Sequence, residues 1–230
     1  MLSKLAVTLL ASGAIAASAE TAESQARCPE IHVFGARHTG AEPGYGLAQE
    51  LVDLIRKTHP GATAEPINYP AAGGSSEIFA SSAQAGVQAV TRQVTSFVNN
   101  CPDTKVVLVG YSQGAEIMDD ALCGGPDPTV NIHSTEPTIS KEIGSHVKAI
   151  VWMGNPRYTI GAPFNRGTAT APGSRPRTEN PYCHPYTGII QSYCDQGDKV
   201  CTDGDSWAVH GSYGDKYSHD ALKYVNWALS

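Results

Sequence analysis

One segment near the middle of the 230-residue chain restricts the fold more than any other. Residues 106–109 (VVLV) form a continuous apolar run, which is typical of a strand buried on both faces of a parallel sheet. The run leads directly into residues 110–114 (GYSQG), a G-x-S-x-G sequence, and a helix is predicted over 113–122. A serine at such a sharp strand-to-helix turn has an exposed hydroxyl, and the next backbone N–H points into the same space. The segment therefore predicts an α/β fold, with Ser112 as a nucleophile and the Gln113 N–H as a donor to an oxyanion.

The rest of the chain alternates short apolar runs with longer amphipathic stretches. The other predicted strands and helices fall at residues 31–34, 47–55, 65–69, 81–98, 147–153 and 218–229. Residues 157–189 are rich in Gly, Pro, Thr and Arg, and they are predicted to form a long irregular excursion. Strands that alternate with helices predict a parallel sheet with helices on both faces.

The charge of the chain excludes two classes of partner. Only 17% of the residues are charged, and the formal net charge is −6. Nucleic-acid binding requires a basic face that displaces counterions from phosphates, and docking on anionic lipid requires the same sign of charge. No segment after the N-terminus is apolar enough to span a bilayer. We therefore expect neither nucleic acid nor membrane as a partner.

The N-terminus has the pattern of a secretory signal peptide. Lys4 precedes a short apolar run over 5–17, and residues 17–19 (ASA) have the small-x-small form of a cleavage site. The run is too short to cross about 30 Å of hydrocarbon. We expect residues 1–19 to be removed, residues 20–230 to form a single catalytic domain, and the protein to be secreted and extracellular.

The cysteine content favours disulfides over metal. Six cysteines follow the predicted leader, and an even number in a secreted chain is typical of disulfide bonds. Spacing alone favours only the local pair Cys194–Cys201 and leaves the other pairings open. The chain has neither a C-x-x-C nor an H-E-x-x-H sequence, so we expect no metal site and no cofactor.

A serine hydroxyl needs a base, which we predict to be His210. The base is a histidine that a carboxylate orients, and in hydrolases of this topology the chain order is Ser, acid, His. His210 lies in a Gly-bounded loop before the last predicted helix, from which it can reach the carboxyl ends of the strands. The other downstream histidines fit this role less well: His133, His146, His184 and His219.

The acid is less well determined by the residues alone. The aspartates that precede His210 are Asp195, Asp198, Asp203 and Asp205. Asp198 lies inside the predicted Cys194–Cys201 loop, and a disulfide-closed loop would hold a carboxylate rigidly. The other three fit solvated surface charges equally well, so Asp198 is favoured and the others stay open.

Several segments in a fixed order resemble one known family. They are residues 28–37 (CPEIHVFGAR), 67–71 (INYPA), 107–114 (VLVGYSQG), 121–125 (ALCGG) and 192–195 (SYCD), with His210 followed by Tyr213-Gly214. Together they resemble the secreted fungal family that contains cutinases and acetylxylan esterases, over residues 28–229. The first two segments and the helix sequence at 116–119 (EIMD) are most similar to the acetylxylan esterase branch.

This resemblance implies a fold and a set of site residues. It implies a small, lidless α/β-hydrolase of about five parallel strands with helices on both faces, acting as a monomer without metal or cofactor. It places the nucleophile at Ser112, the base at His210 and the acid at Asp198, and the oxyanion donors at Thr39 and Gln113. It also implies the disulfide pairings Cys28–Cys101, Cys123–Cys183 and Cys194–Cys201.

Two departures from the acetylxylan esterase pattern affect the expected substrate. A cysteine pair of that branch is absent from residues 71–77 (AAGGSSE), and Lys199-Val200 stands where the branch has Pro-Tyr after the acid. Trp207 and Val209 add apolar surface before His210, so Val200, Trp207 and Val209 are predicted to form the substrate rim. An apolar rim suits longer acyl chains.

These patterns lead to one expected function and two alternatives. We expect a secreted serine esterase that removes acetyl groups from acetylated xylan or another acetylated polysaccharide. The first alternative is a cutinase that hydrolyses cutin or other long-chain esters. The second is a non-catalytic secreted protein that binds polysaccharide or a host component, because a fold does not by itself imply activity.

Overall fold

Six parallel strands form one open sheet in a computed structural model that describes residues 28–230. They are β1 (Ile31–Ala36), β2 (Thr63–Pro66), β3 (Lys105–Tyr111), β4 (Val147–Met153), β5 (Asn165–Arg166) and β6 (Ile190–Tyr193). Their order across the sheet is β2-β1-β3-β4-β6-β5. Strand β3 is central, with β1 and β4 as its neighbours. A central position explains its continuous apolar run, because neither face of the strand meets water.

Helices cover both faces of the sheet. They are α1 (Gln49–Thr58), α2 (Ser76–Asn100), α3 (Gln113–Cys123), α4 (Lys141–Gly144), α5 (Trp207–His210) and α6 (Tyr213–Leu229), with short 3₁₀ turns at Gly46–Ala48, Pro128–Val130 and Tyr186–Ile189. Helices α2 and α3 pack on the face that carries Leu108 and Trp152. Helices α1 and α6 pack on the opposite face, which carries Val107 and Val151. The predicted α/β fold with a doubly covered parallel sheet is confirmed.

The structure differs from the sequence prediction at several elements. The sheet has six strands rather than about five, because residues of the excursion 157–189 form β5, which pairs with the end of β6. Two residues are too few to leave an alternating pattern. Helix α2 begins at Ser76 rather than residue 81, because the Ser75 hydroxyl caps it by accepting from the Ile78 N–H at 3.4 Å. Helix α6 begins at Tyr213, five residues before the predicted start.

Buried ion pairs attach the irregular excursion to helix α3 and to the segment that follows it. Arg157 lies 3.1 Å from a carboxylate oxygen of Asp120 and 3.4 Å from one of Asp127, and Arg177 lies 2.6 Å from one of Asp119. All five side chains are buried. Removing one partner of such a pair leaves an uncompensated charge and costs about 3–5 kcal/mol. The excursion is therefore held by charge where it has little regular structure.

Three disulfides also restrain the chain. They join Cys28 to Cys101, Cys123 to Cys183 and Cys194 to Cys201, the three pairings that the resemblance implies. The second ties the end of α3 to the excursion. The third closes a loop between residues separated by seven positions, and this loop contains Asp198.

The predicted signal peptide, residues 1–19, lies outside the described residues. Within residues 28–230, no helix is both long enough and apolar enough to cross a membrane. In the same part of the chain, no three His, Cys, Asp or Glu side chains are grouped so that they could hold a metal ion.

Candidate active site

Ser112 occupies a strained turn between β3 and α3. Its φ is 54° and its ψ is −120°, a conformation that is rare for a residue with a side chain. The turn is tight because the backbones around it nearly touch. A Cβ on Gly110 would lie 2.6 Å from the Ala115 Cα, and a Cβ on Gly114 would lie 2.7 Å from the Arg37 carbonyl oxygen. The two glycines of the motif are therefore steric requirements of the turn.

Replacing Gly114 by alanine should destabilise the fold by about 3 kcal/mol, because the new methyl group would overlap the backbone after β1. Urea unfolding of the two proteins measures the difference. The matched control is Gly188→Ala, since no atom lies within 4 Å of a Cβ built there. We expect the control to stay within about 0.5 kcal/mol of the parent. Equal stability of the two variants would show that the turn is not under steric constraint.

Three side chains from distant parts of the chain form a continuous hydrogen-bonded series. The Ser112 Oγ lies 2.9 Å from His210 Nε2, and His210 Nδ1 lies 2.8 Å from Asp198 Oδ2. All three residues are buried. With a neutral imidazole, Nδ1–H donates to the carboxylate and the serine hydroxyl donates to Nε2. This is the arrangement in which a histidine can take the proton of a serine nucleophile.

The Asp198 carboxylate is held by four donors. Its Oδ1 accepts from the backbone N–H groups of Val200 at 2.5 Å and Cys201 at 2.8 Å, and its Oδ2 accepts from the Tyr213 hydroxyl at 2.7 Å as well as from His210. Burial alone would raise the pKa of Asp198. The hydrogen bond and charge of His210, together with the other donors, outweigh burial and lower this pKa below its usual value. The carboxylate is therefore ionised and fixed in orientation.

His210 lies in a short helix and not in the loop predicted for it. It is the last residue of α5, and the Ser206 hydroxyl caps this helix by accepting from the Val209 N–H at 3.1 Å. The Tyr111 hydroxyl donates to the His210 carbonyl oxygen at 2.6 Å. Both contacts fix the backbone that carries the imidazole.

The other acidic candidates do not reach the imidazole. Asp203 and Asp205 are exposed, as expected for surface charges. Asp195, which the sequence left open, is neither the acid nor a surface charge: it is buried and accepts from Lys216 Nζ at 2.5 Å and the Tyr217 hydroxyl at 2.8 Å. The sequence does not predict the burial of Asp195, because both hydrogen-bond partners lie on α6, more than twenty residues away.

An open cleft of about 590 Å³ leads to Ser112 and His210. Thr39, Val200 and Trp207 line it, and Trp207 is 62% exposed. Val209, predicted as part of the rim, does not line the cleft; its side chain lies beside Gly197. The physical reason is helical geometry. Trp207 and Val209 are two residues apart in α5, so their side chains point to different sides of the helix.

Of the two predicted oxyanion donors, Gln113 directly follows the nucleophile in the chain, and Thr39 lines the same cleft. The Gln113 N–H is at the first position of α3, where no carbonyl one turn earlier can accept from it. The positive end of the helix dipole also lies there. The Gln113 side chain accepts from Ser82 Oγ at 3.2 Å and donates to the Ala72 carbonyl oxygen at 3.3 Å. The start of α3 is therefore fixed to α2 and to the loop before α2.

The cleft is also lined by residues that the sequence prediction did not single out, among them His38, Phe79 and Arg175. Arg175 belongs to the excursion 157–189, which has no periodic pattern. The sequence does contain one indication of Arg175. Helix α3 carries acidic residues in apolar surroundings, and buried carboxylates need cations as partners. The arginines of the excursion are candidates for these cations.

Comparison with known proteins assigns the chain to a family. The family model described as Cutinase matches residues 27–229.

The chain belongs to the cutinase family.

Among the similar proteins, Cutinase 11 of Verticillium dahliae is 47% identical to this cutinase-family chain over 226 residues, which cover 96% of the chain and 76% of that protein. Acetylxylan esterase 2 of Talaromyces purpureogenus is 44% identical over 224 residues, covering 96% and 95%. The solved catalytic core domain of acetyl xylan esterase from Trichoderma reesei superimposes with a TM-score of 0.83 at 44% identity, covering 87% of this chain and 99% of that one. The family resemblance and the α/β-hydrolase fold expected from the motifs are therefore confirmed.

Proposed function

We propose that this cutinase-family chain is a secreted serine esterase that removes acetyl groups from acetylated xylan. The observation that carries the proposal is the hydrogen-bonded series Ser112–His210–Asp198 at the base of an open cleft. The similarity to two proteins named as acetylxylan esterases supports the choice of substrate.

The first half of the reaction forms an acyl-enzyme. Ser112 Oγ attacks the ester carbonyl carbon while His210 Nε2 takes its proton. Asp198 keeps the Nδ1–H tautomer and stabilises the imidazolium. The Gln113 N–H and Thr39 stabilise the negative oxygen of the tetrahedral intermediate. His210 then gives its proton to the sugar oxygen as the carbon–oxygen bond breaks, and the sugar hydroxyl leaves.

The second half regenerates the enzyme. Water takes the place of the sugar hydroxyl, and His210 removes its proton as it attacks the acetyl group on Ser112. The tetrahedral intermediate collapses, His210 returns a proton to Ser112, and acetate leaves. Every group in these steps belongs to the chain, the substrate or water.

The proposal also covers the processing, assembly and location of the protein. Residues 1–19 act as a signal peptide, and residues 20–230 form one catalytic domain that works as a monomer outside the cell. Three disulfides are consistent with an oxidising compartment.

A second candidate function is cutinase activity, and one observation favours it. Val200 and the exposed Trp207 give the cleft apolar surface, which suits long acyl chains. The 47% identity to Cutinase 11 agrees with this alternative.

Hydrolysis of 4-nitrophenyl esters from acetyl to palmitoyl, run beside acetate release from acetylated xylan, separates the two. We expect a preference for the acetyl ester with release of acetate from xylan. A preference for butyryl or longer chains with little acetate would favour the cutinase. A serine-reactive phosphonate that leaves the folded protein unlabelled would instead favour the non-catalytic binding protein.

A further inference from the structure

A cation lies in the cleft beside Ser112, and the reaction steps above do not use it. Arg175 lines the cleft together with Phe79 and Ser112. Its guanidinium carbon lies 4.7 Å from the centre of the Phe79 ring, a distance typical of a cation–π contact. A charged side chain on a cleft wall next to a nucleophile is in reach of whatever ester binds there.

Glu116 holds this guanidinium in place. Arg175 Nε donates to one carboxylate oxygen of Glu116 at 2.7 Å, and Nη2 donates to the other at 3.0 Å. Glu116 is completely buried, and it lies four residues after Ser112 on the same face of α3. The arginine is therefore anchored in the wall of the cleft by a two-point contact that fixes the plane of the guanidinium.

The anchored guanidinium still has free donors. A guanidinium has five N–H groups, and Glu116 accepts from two of them, so three remain on Nη1 and Nη2. The Arg175 side chain is 21% exposed. The two contacts with Glu116 already restrict the rotamers of Arg175. Binding a ligand therefore costs less side-chain entropy than it would at an arginine that moves freely.

The surroundings indicate the class of ligand. An ionised Glu116 offsets the charge of Arg175, so the pair suits neutral oxygen acceptors better than a free cation would. The exposed Trp207 lines the same cleft and offers a flat apolar face. Hydroxyl and ether oxygens combined with an apolar ring face are the recognition features of a sugar.

We propose that Arg175 is a specificity-determining residue whose free N–H groups bind oxygen atoms of the sugar that carries the ester, with Glu116 as its positioning residue. This inference rests on the proposed function, since it concerns the alcohol part of the same substrate. It assigns recognition of the sugar to a residue of the irregular excursion, and it leaves the acyl-transfer steps to the Ser112 series.

The test compares Arg175→Met with the parent enzyme on two acetyl esters. Acetylated xylo-oligosaccharides carry the sugar, and 4-nitrophenyl acetate does not. We expect the ratio of kcat/KM for the oligosaccharide to kcat/KM for the nitrophenyl ester to fall about tenfold or more, since hydrogen bonds from a charged donor contribute at this scale. The loss should appear mainly in KM for the oligosaccharide.

Methionine suits this test because it keeps an apolar stem over Phe79. The variant leaves no buried unpaired charge, because burial raises the pKa of Glu116 to about 7 even beside Arg175, and without this arginine the carboxyl takes a proton more readily. Arg166→Met is the matched control, since Arg166 is exposed and bonds only backbone carbonyls of Pro163 and Asn165. The control should leave the ratio within about twofold of the parent.

A second variant tests the same contact in case Arg175→Met does not fold. Glu116→Gln keeps one acceptor for Arg175 and should lower the ratio in the same direction by a smaller factor. An unchanged ratio in Arg175→Met, while the parent enzyme releases acetate from the oligosaccharide, would overturn the inference and leave the proposed function standing. A parent enzyme that hydrolyses the nitrophenyl ester but releases no acetate from the oligosaccharide would instead overturn the proposed function and the inference with it.

Discussion

Replacing Ser112 by alanine should lower kcat for 4-nitrophenyl acetate by about 10⁶-fold, the scale expected when the nucleophile of a Ser-His-Asp series is lost. The reason is geometric, because the Ser112 Oγ lies 2.9 Å from His210 Nε2. In the variant, His210 can at best activate water, and no acyl-enzyme forms. Initial-rate kinetics, together with labelling by a serine-reactive phosphonate, measure both consequences.

Ser174→Ala is the matched control for this prediction. Ser174 is an exposed serine that lines the same cleft, whereas the imidazole is bonded to Ser112. We expect it to keep activity and phosphonate labelling. Retention of more than a few per cent of activity by Ser112→Ala, in a preparation free of parent enzyme, would show that another group is the nucleophile.

The second large effect is expected from Asp198→Asn, with a loss of about 10⁴-fold in kcat. The four donors around the carboxylate determine how an asparagine must sit. The N–H groups of Val200 and Cys201 both donate to Oδ1, so the amide oxygen takes that place. The amide NH₂ then replaces Oδ2 and faces His210 Nδ1 and the Tyr213 hydroxyl.

This placement gives the imidazole the wrong tautomer. Nδ1 must accept from the amide, so the ring proton moves to Nε2, and Nε2 can no longer take the proton of Ser112. The imidazolium also loses its carboxylate partner. The chain should still fold, because the amide keeps the volume of the carboxylate and most of its hydrogen bonds.

Asp203→Asn is the control for the acid, since Asp203 lies in the same region, also precedes His210 and is exposed. We expect its kcat to stay within about threefold of the parent. If Asp203→Asn or Asp205→Asn were the severe change and Asp198→Asn the mild one, the assignment of the acid would be wrong. Steady-state kinetics of the three variants decides between them.

The nucleophile could be predicted from sequence because the residue pattern that marks it is local. An apolar run, two glycines and a helix start lie within a few residues of Ser112, and each glycine is needed to avoid a backbone clash. Short-range sterics and hydrophobic patterning act between neighbours in the chain, so they leave a pattern in the sequence. The parallel α/β fold followed from the same kind of pattern.

The support of the acid could not be predicted in the same way. The Cys194–Cys201 loop favoured Asp198, but the Tyr213 hydroxyl that also holds it lies on another helix. Asp195, two residues after the end of β6 at Tyr193, is buried by partners on α6, whereas the sequence left open whether it was an acid or a surface charge. The chemistry of an aspartate in a loop depends on what packs over it, and loop residues have no periodicity that predicts this.

By itself, the sequence determined the parallel α/β fold, the sharp turn at Ser112 and the family, because these depend on short-range patterns that are present in the residues. The tertiary structure alone decided that Asp195 is buried against α6, that Val209 turns away from the cleft, and that Arg175 bonds Glu116 across 59 positions. Contacts over such separations form only when the sheet brings the carboxyl ends of its strands together. Burial makes the pairing of these charged groups important for stability, because an unpaired buried charge costs free energy.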